Sequence, residues 1–188
     1  MQRSVVPSSL LEFWTSVTSA EIRDYQRGLI RDFVEDHSWY GKAVLDFGCG
    51  NAPYRGIIEA AGGTWMGYHR RFYPGAIAVD QGPDNPLAGH WDSILCTQVL
   101  QYVLDPNHLI ARFRESLIHS GGELVLTYAT NWPEVEPQDL WRFSRTGIEF
   151  LLSEEWDVVQ HERLGALPFG DREQLPLGGG LVASPKLI

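Results

Sequence analysis

Val44-Leu45-Asp46-Phe47-Gly48-Cys49-Gly50-Asn51-Ala52-Pro53-Tyr54 decides how the rest of this chain is read. Its first half belongs to a short apolar run, Ala43 to Phe47, of the kind that forms a strand buried on both faces. Gly48 and Gly50 then let the backbone turn sharply and approach a ligand with no side chain in the way. Pro53 stands where a helix opens, at a first-turn position whose missing N–H costs nothing. That helix continues through Tyr54, Ile57, Ile58 and Ala61, and Gly62-Gly63 stops it. Strand, glycine turn and helix make one unit of an open α/β sheet, whose ligands bind at the carboxyl ends of the strands. A dinucleotide site begins with the same Gly-x-Gly. Against that reading, Pro53 occupies the third glycine position, and Asp46, two residues before Gly48, would repel a pyrophosphate. A carboxylate there suits a cationic ligand.

Outward from this unit the pattern repeats. Ile22, Tyr25, Leu29, Ile30 and Phe33 recur at three- and four-residue steps and predict an amphipathic helix from Ser19 to His37. Strands are expected at Thr64 to Tyr68, Ala76 to Val79, Trp91 to Thr97, Glu123 to Thr130 and Trp156 to Gln160. Helices are expected from Pro106 to Ser120, with Leu109, Ile110, Phe113 and Leu117 facing inward, and from Ser144 to Leu152. Gly178-Gly179-Gly180 before Leu181-Val182-Ala183 suggests a last strand, paired antiparallel at a sheet edge, and Leu164 to Gly180 reads as a long connection. Alternating strands and helices imply an α/β fold with a mostly parallel sheet in one domain, residues 1–40 forming a helical cap segment and 41–188 the core. Only seven residues separate Tyr68 from Ala76, where a parallel crossover usually takes about a dozen, so a helix is expected to be thinned or absent there.

Composition narrows the function. The chain has 188 residues, 44% of them hydrophobic, which fits one globular domain. Its formal charge of −9 argues against a nucleic-acid partner. Two cysteines make no disulfide framework and suit a reducing, cytoplasmic setting. No apolar run approaches the roughly 20 residues of a membrane span, and no metal-ligand cluster stands out.

The glycine segment resembles the first motif of class I S-adenosylmethionine (SAM) dependent methyltransferases, in which an acidic residue precedes Gly-x-Gly. The resemblance continues from about residue 40 to 160. Trp91-Asp92-Ser93-Ile94-Leu95-Cys96-Thr97-Gln98-Val99-Leu100 is similar to the strand whose end faces the methyl donor, and Leu117 to Thr127 to the next helix end and strand. Pro137-Gln138-Asp139-Leu140-Trp141-Arg142-Phe143-Ser144 resembles a His-Asp-Tyr-Trp-Arg-Phe stretch of small-molecule methyltransferases of the type 11 kind. The resemblance implies a Rossmann-like, seven-stranded methyltransferase sandwich with an antiparallel last strand. It implies SAM as cofactor and S-adenosylhomocysteine (SAH) as product, with transfer to a small organic acceptor in specialised metabolism. Asp46, Gly48, Cys49, Gly50 and Tyr54 would hold the amino-acid end of the cofactor, and Tyr68, His69, Asp80 and Gln81 its nucleoside. Cys96, Thr97 and Gln98 end the strand at the cofactor, Cys96 reading as a small buried hydrophobe while Thr97 and Gln98 would face the methyl donor. Tyr102, Gln98 and Asp139 are the candidates for the acceptor side.

The departures carry information too. Relatives place a ribose-binding acidic residue where Gly67-Tyr68-His69 places a histidine, which offers one acceptor nitrogen rather than paired oxygens. Gln101-Tyr102 stands where many relatives have Glu-His, and Gln138 where the related stretch has His. These changes motivate two other readings: a non-methylating enzyme that keeps the SAM or SAH pocket, for example a cyclisation or rearrangement, and a catalytically silent binding subunit. With no inserted cap, Met1 to Thr18, Leu164 to Gly180 or a second subunit in a homodimer would have to close the pocket.

Overall fold

The computed structural model describes residues 19–69, 86–117, 121–131, 139–152, 154–169 and 173–186. The expected strand at Ala76 to Val79, site candidates Asp80 and Gln81, residue Gln138 and the first eighteen residues lie outside them.

Three apolar runs build the centre of the sheet. These are β1 (Ala43–Phe47), β3 (Ser93–Thr97) and β4 (Glu123–Ala129); with β2 (Thr64–Tyr68) they run parallel. Their side chains alternate between two cores. Leu45, Ile94, Cys96, Leu124 and Leu126 pack against α3 (Pro106–Leu117) and α4 (Arg145–Leu152). Val44, Leu95 and Val125 pack against α1 (Ser19–Glu35), Trp39 and Ile58 of α2 (Arg55–Ala60). In α1 it is Ile30, Phe33 and Val34 that are buried, while Tyr25 is half exposed. In α3 the expected stripe of Leu109, Ile110, Phe113 and Leu117 is buried. This helix opens on Pro106 with Asp105 Oδ1 accepting the His108 N–H at 3.0 Å, and α4 opens with Ser144 Oγ accepting the Gly147 N–H at 3.0 Å.

The far half of the sheet differs from expectation. The strand β5 (Trp156–Arg163) is longer than expected and forms the edge, with a register shift between Val158 and Gln160. The stretch expected as a plain connection contains, among its described residues, a two-stranded antiparallel ribbon, β6 (Ala166–Phe169) and β7 (Glu173–Pro176). The last strand, β8 (Gly178–Pro185), is not an edge. It lies between β4 and β5, antiparallel to both, so the described sheet has six strands in the order β2-β1-β3-β4-β8-β5. The glycine run belongs to β8 itself. Across the ladder Gly179 pairs with Tyr128, and a Cβ on it would lie 2.4 Å from the tyrosine hydroxyl. Only a strand without side chains there fits between its neighbours.

Candidate functional site

Because β1 to β4 are parallel, their carboxyl ends gather on one side of the sheet, and the glycine turn lies at its middle. Gly48 (φ +81°) and Gly50 (φ +55°) are in the left-handed region, as is Ala52 (φ +57°). The Gly48 and Cys49 amides both donate to the Tyr68 carbonyl, at 2.7 and 3.0 Å, which ties the turn to the end of β2. The Gly50 amide donates to His69 Nδ1 at 3.3 Å. The two glycines have different surroundings. A Cβ on Gly48 would lie 2.2 Å from Val99 Cγ2, whereas one on Gly50 would meet nothing within 4 Å among the described residues. The corner at Gly50 is bare.

Asp46 lies beneath this turn and is fully buried. Its Oδ2 accepts from Trp65 Nε1 at 3.1 Å, and its Oδ1 has no partner among the described residues. Burial pushes its pKa up to about 7, against the opposing pull of the Trp65 hydrogen bond. Trp65 reaches the carboxylate because Gly67, which pairs with Asp46 across the ladder, has no side chain. A Cβ there would sit 2.4 Å from the indole. The Arg55 guanidinium covers the same indole, 5.1 Å from the ring centroid. Cys49 is buried, and burial together with the Asp46 charge pushes its thiol up to about 12, so it is no nucleophile. Burial raises the pKa of the Tyr54 hydroxyl, against the opposing influence of Thr97.

At the end of β3, Gln98 takes φ +54°, an uncommon conformation for a residue with a side chain. Its amide donates to the carbonyl of buried Thr127 at 3.1 Å, and its side-chain Nε2 to Thr127 Oγ1 at 3.3 Å. This reversal swings Val99 over Gly48 and leads into a short 3-10 turn, Leu100–Tyr102. Residues 139–143 clamp onto that turn. The Leu140 and Trp141 amides donate to the Gln101 carbonyl at 2.7 and 3.3 Å, and Trp141 Nε1 donates to the Val103 carbonyl at 2.7 Å. Asp139 is joined to Arg142 by two hydrogen bonds of 2.5 and 2.6 Å, and its side chain is 1% exposed.

The structure therefore gathers Asp46, Gly48, Cys49, Gly50, Tyr54, Tyr68, His69, Thr97 and Gln98 around one corner. The Tyr68 ring packs beside Phe47 at 5.0 Å, leaving its carbonyl for the turn. The Cys96 side chain faces the core rather than the site. Tyr102 is 38% exposed at the rim. Trp65, Gly67, Val99 and Thr127 were not foreseen. The signal for Gly67 was present, since a glycine opposite the motif aspartate leaves room for a neighbour to reach it.

No family model matches the sequence, and no curated protein does. Solved structures do match in fold. Magnesium protoporphyrin IX methyltransferase from Synechocystis PCC 6803, with bound SAM, superposes with a TM-score of 0.60 at 16% identity, over 88% of this chain and 82% of that one. The 1,6-didemethyltoxoflavin-N1-methyltransferase of Burkholderia thailandensis, with its substrate and SAH bound, gives 0.65 at 14% identity, over 99% and 93%. The DhpI–SAH complex gives 0.64 at 11% identity, over 95% and 92%. The chain has the fold of the SAM-dependent methyltransferases.

Proposed function

We propose that the protein transfers a methyl group from SAM to a small organic acceptor and releases SAH. The observation that carries this reading is the corner at Gly50, bare among the described residues, above a buried carboxylate with one oxygen that no described residue satisfies. An orphaned buried carboxylate oxygen costs stability unless a donor or cation compensates it. The residues present fit a ligand whose cationic end comes to this corner. When bound, SAM supplies the methyl group on a sulfonium, which is already a good leaving group. The chain then has to align the acceptor and exclude water.

In this reading Asp46, Gly48, Cys49, Gly50, Tyr54 and Thr97 form the seat of the amino-acid end. Asp80 and Gln81 serve the nucleoside side, whereas the acceptor nitrogen of His69 is committed to the Gly50 amide. Gln98 and Tyr102 face the acceptor. Asp139 acts through Arg142 as a positioning residue that fixes the 139–143 segment, because its carboxylate is already committed to the guanidinium. A cytoplasmic location and a homodimer belong to the same reading, and sedimentation measures the latter.

Thermal unfolding with added SAM or SAH is the direct test. A ligand at a hundred times its Kd stabilises the fold by ~2.7 kcal/mol, which for a chain of this size is a rise of roughly 5–10 °C in Tm. No rise at millimolar SAM overturns the proposal. Labelled SAM with candidate acceptors then shows whether the methyl group moves.

A further inference from the structure

One hydrogen bond in the glycine turn is made by a side chain where its predecessors are made by backbone. The Gly48 and Cys49 amides share the Tyr68 carbonyl, and the next amide, that of Gly50, is held by the imidazole of His69 at 3.3 Å. Gly50 is also the residue of the turn with open space above it. The turn is closed within the chain by the Ala52 amide donating to the Cys49 carbonyl at 2.8 Å, and the imidazole adds a hold on the Gly50 amide from the neighbouring strand. A ring that accepts at Nδ1 carries its proton on Nε2 and is neutral in that state.

We propose that His69 is a positioning residue for the cofactor corner: its Nδ1 accepts the Gly50 amide and pre-shapes the bare turn against which the amino-acid end of SAM is seated. The step to SAM rests on the methyltransferase reading; the tautomer and the held turn do not. The histidine at the end of β2 thus supports the turn from the neighbouring strand, a task that needs one acceptor atom attached directly to Cγ.

That geometry separates the variants. Asn carries an oxygen in the place of Nδ1, whereas the acceptor of Gln lies one bond farther out. His69→Asn should bind SAH within about twofold of the parent. His69→Ala and His69→Gln should bind about fivefold more weakly or worse, the loss of one hydrogen bond. His69→Asp, which keeps an oxygen on Cγ, should bind at least as well as His69→Asn. Thermal midpoints without ligand should rank the Asn variant with the parent and the Ala variant below it. In the ligand-free parent, nitrogen-15 NMR should find His69 protonated on Nε2 and bare on Nδ1. A proton on Nδ1, or an Asn variant as impaired as the Ala variant, overturns the proposal. If the parent binds neither SAM nor SAH, the methyltransferase reading fails by itself, and the ring proton and the ranking of midpoints still decide the role of His69.

Discussion

The two glycines of the turn should fail in different ways when each gains a methyl group. In Gly48→Ala the new Cβ would lie 2.2 Å from Val99 Cγ2 at φ +81°. Overpacking and the left-handed conformation together should cost about 3 kcal/mol, or roughly 6–12 °C in Tm. Trimming the obstacle in Gly48→Ala/Val99→Ala should return part of that loss, because the two sites are in contact. In Gly50→Ala no described residue lies within 4 Å of the Cβ, so the fold should lose only about 1 kcal/mol from the backbone. The methyl would nevertheless project into the corner that is to hold the cofactor, and SAH affinity should fall sharply. Calorimetry and titration on the three variants separate these effects. A Gly50→Ala protein that binds SAH as the parent does would place the ligand elsewhere.

Between elements, two polar clusters lock the sheet at opposite ends. Near the edge, Tyr128 Oη meets His161 Nε2 at 2.8 Å, and His161 Nδ1 meets Glu149 Oε1 at 3.0 Å, so β4, β5 and α4 are tied across β8. The side chain of Tyr128 passes directly over Gly179, and Gly179→Ala should cost more than about 2 kcal/mol, measured by urea unfolding. This arrangement explains what could and could not be read from the chain. Apolar runs and helical spacing report local periodicity, so β1, β2 and the inner face of α3 were legible. Sheet order depends on which distant strand a segment meets, and nothing local says that a run of three glycines is the inside of a strand. Gly178 and Gly179 are explained by Tyr128, about fifty residues earlier in sequence, and Gly180 by Phe33 and Leu164. Likewise the motif aspartate was legible, but its partner Trp65 depends on the register of β1 with β2. At the other end, Glu123 at the start of β4 holds His37 at 2.7 Å and also Lys42, joining the loop after α1 to the start of β1. Burial pushes the Glu123 carboxyl up, but hydrogen bonds and charge from His37 and Lys42 together outweigh it and hold the pKa below the ordinary value. Glu123→Gln should therefore cost about 1–3 kcal/mol at pH 7. The deficit should shrink toward pH 3, because a depressed carboxylate gives stability that is lost as pH falls through its folded pKa.

Over the whole molecule, carboxylates of opposite tendency set the response to pH. Glu123 and Glu149 are held low, so their contribution is complete near neutrality and fades in acid. Asp46 is raised to about 7, so the folded state keeps a proton that the unfolded chain releases near pH 4. Its sign is the reverse: from about pH 4 to about 7 the folded state binds more protons than the unfolded one, and stability falls as pH rises. Between pH 5.5 and 7.0 this should cost the ligand-free protein about 1–2 kcal/mol, with little further loss above. A cationic ligand at the corner would favour the ionised carboxylate. Its affinity should therefore rise over the same interval, by about tenfold if only the ionised form binds and while the ammonium of SAM stays charged below its own pKa near about 7.8. The protein would be least stable, within this range, where it is best prepared to bind. Asp46→Asn keeps an oxygen for Trp65 and removes the titration, so it should flatten both slopes at once. Urea unfolding without ligand and calorimetric titration with SAM, each at pH 5.5 and 7.0 on parent and variant, make the comparison. If both proteins give parallel profiles, Asp46 keeps one charge state across this interval, and any part its charge takes in binding appears as a constant offset between parent and variant. If only the stability slope disappears, the buried carboxylate is a strain on the fold that the ligand does not use.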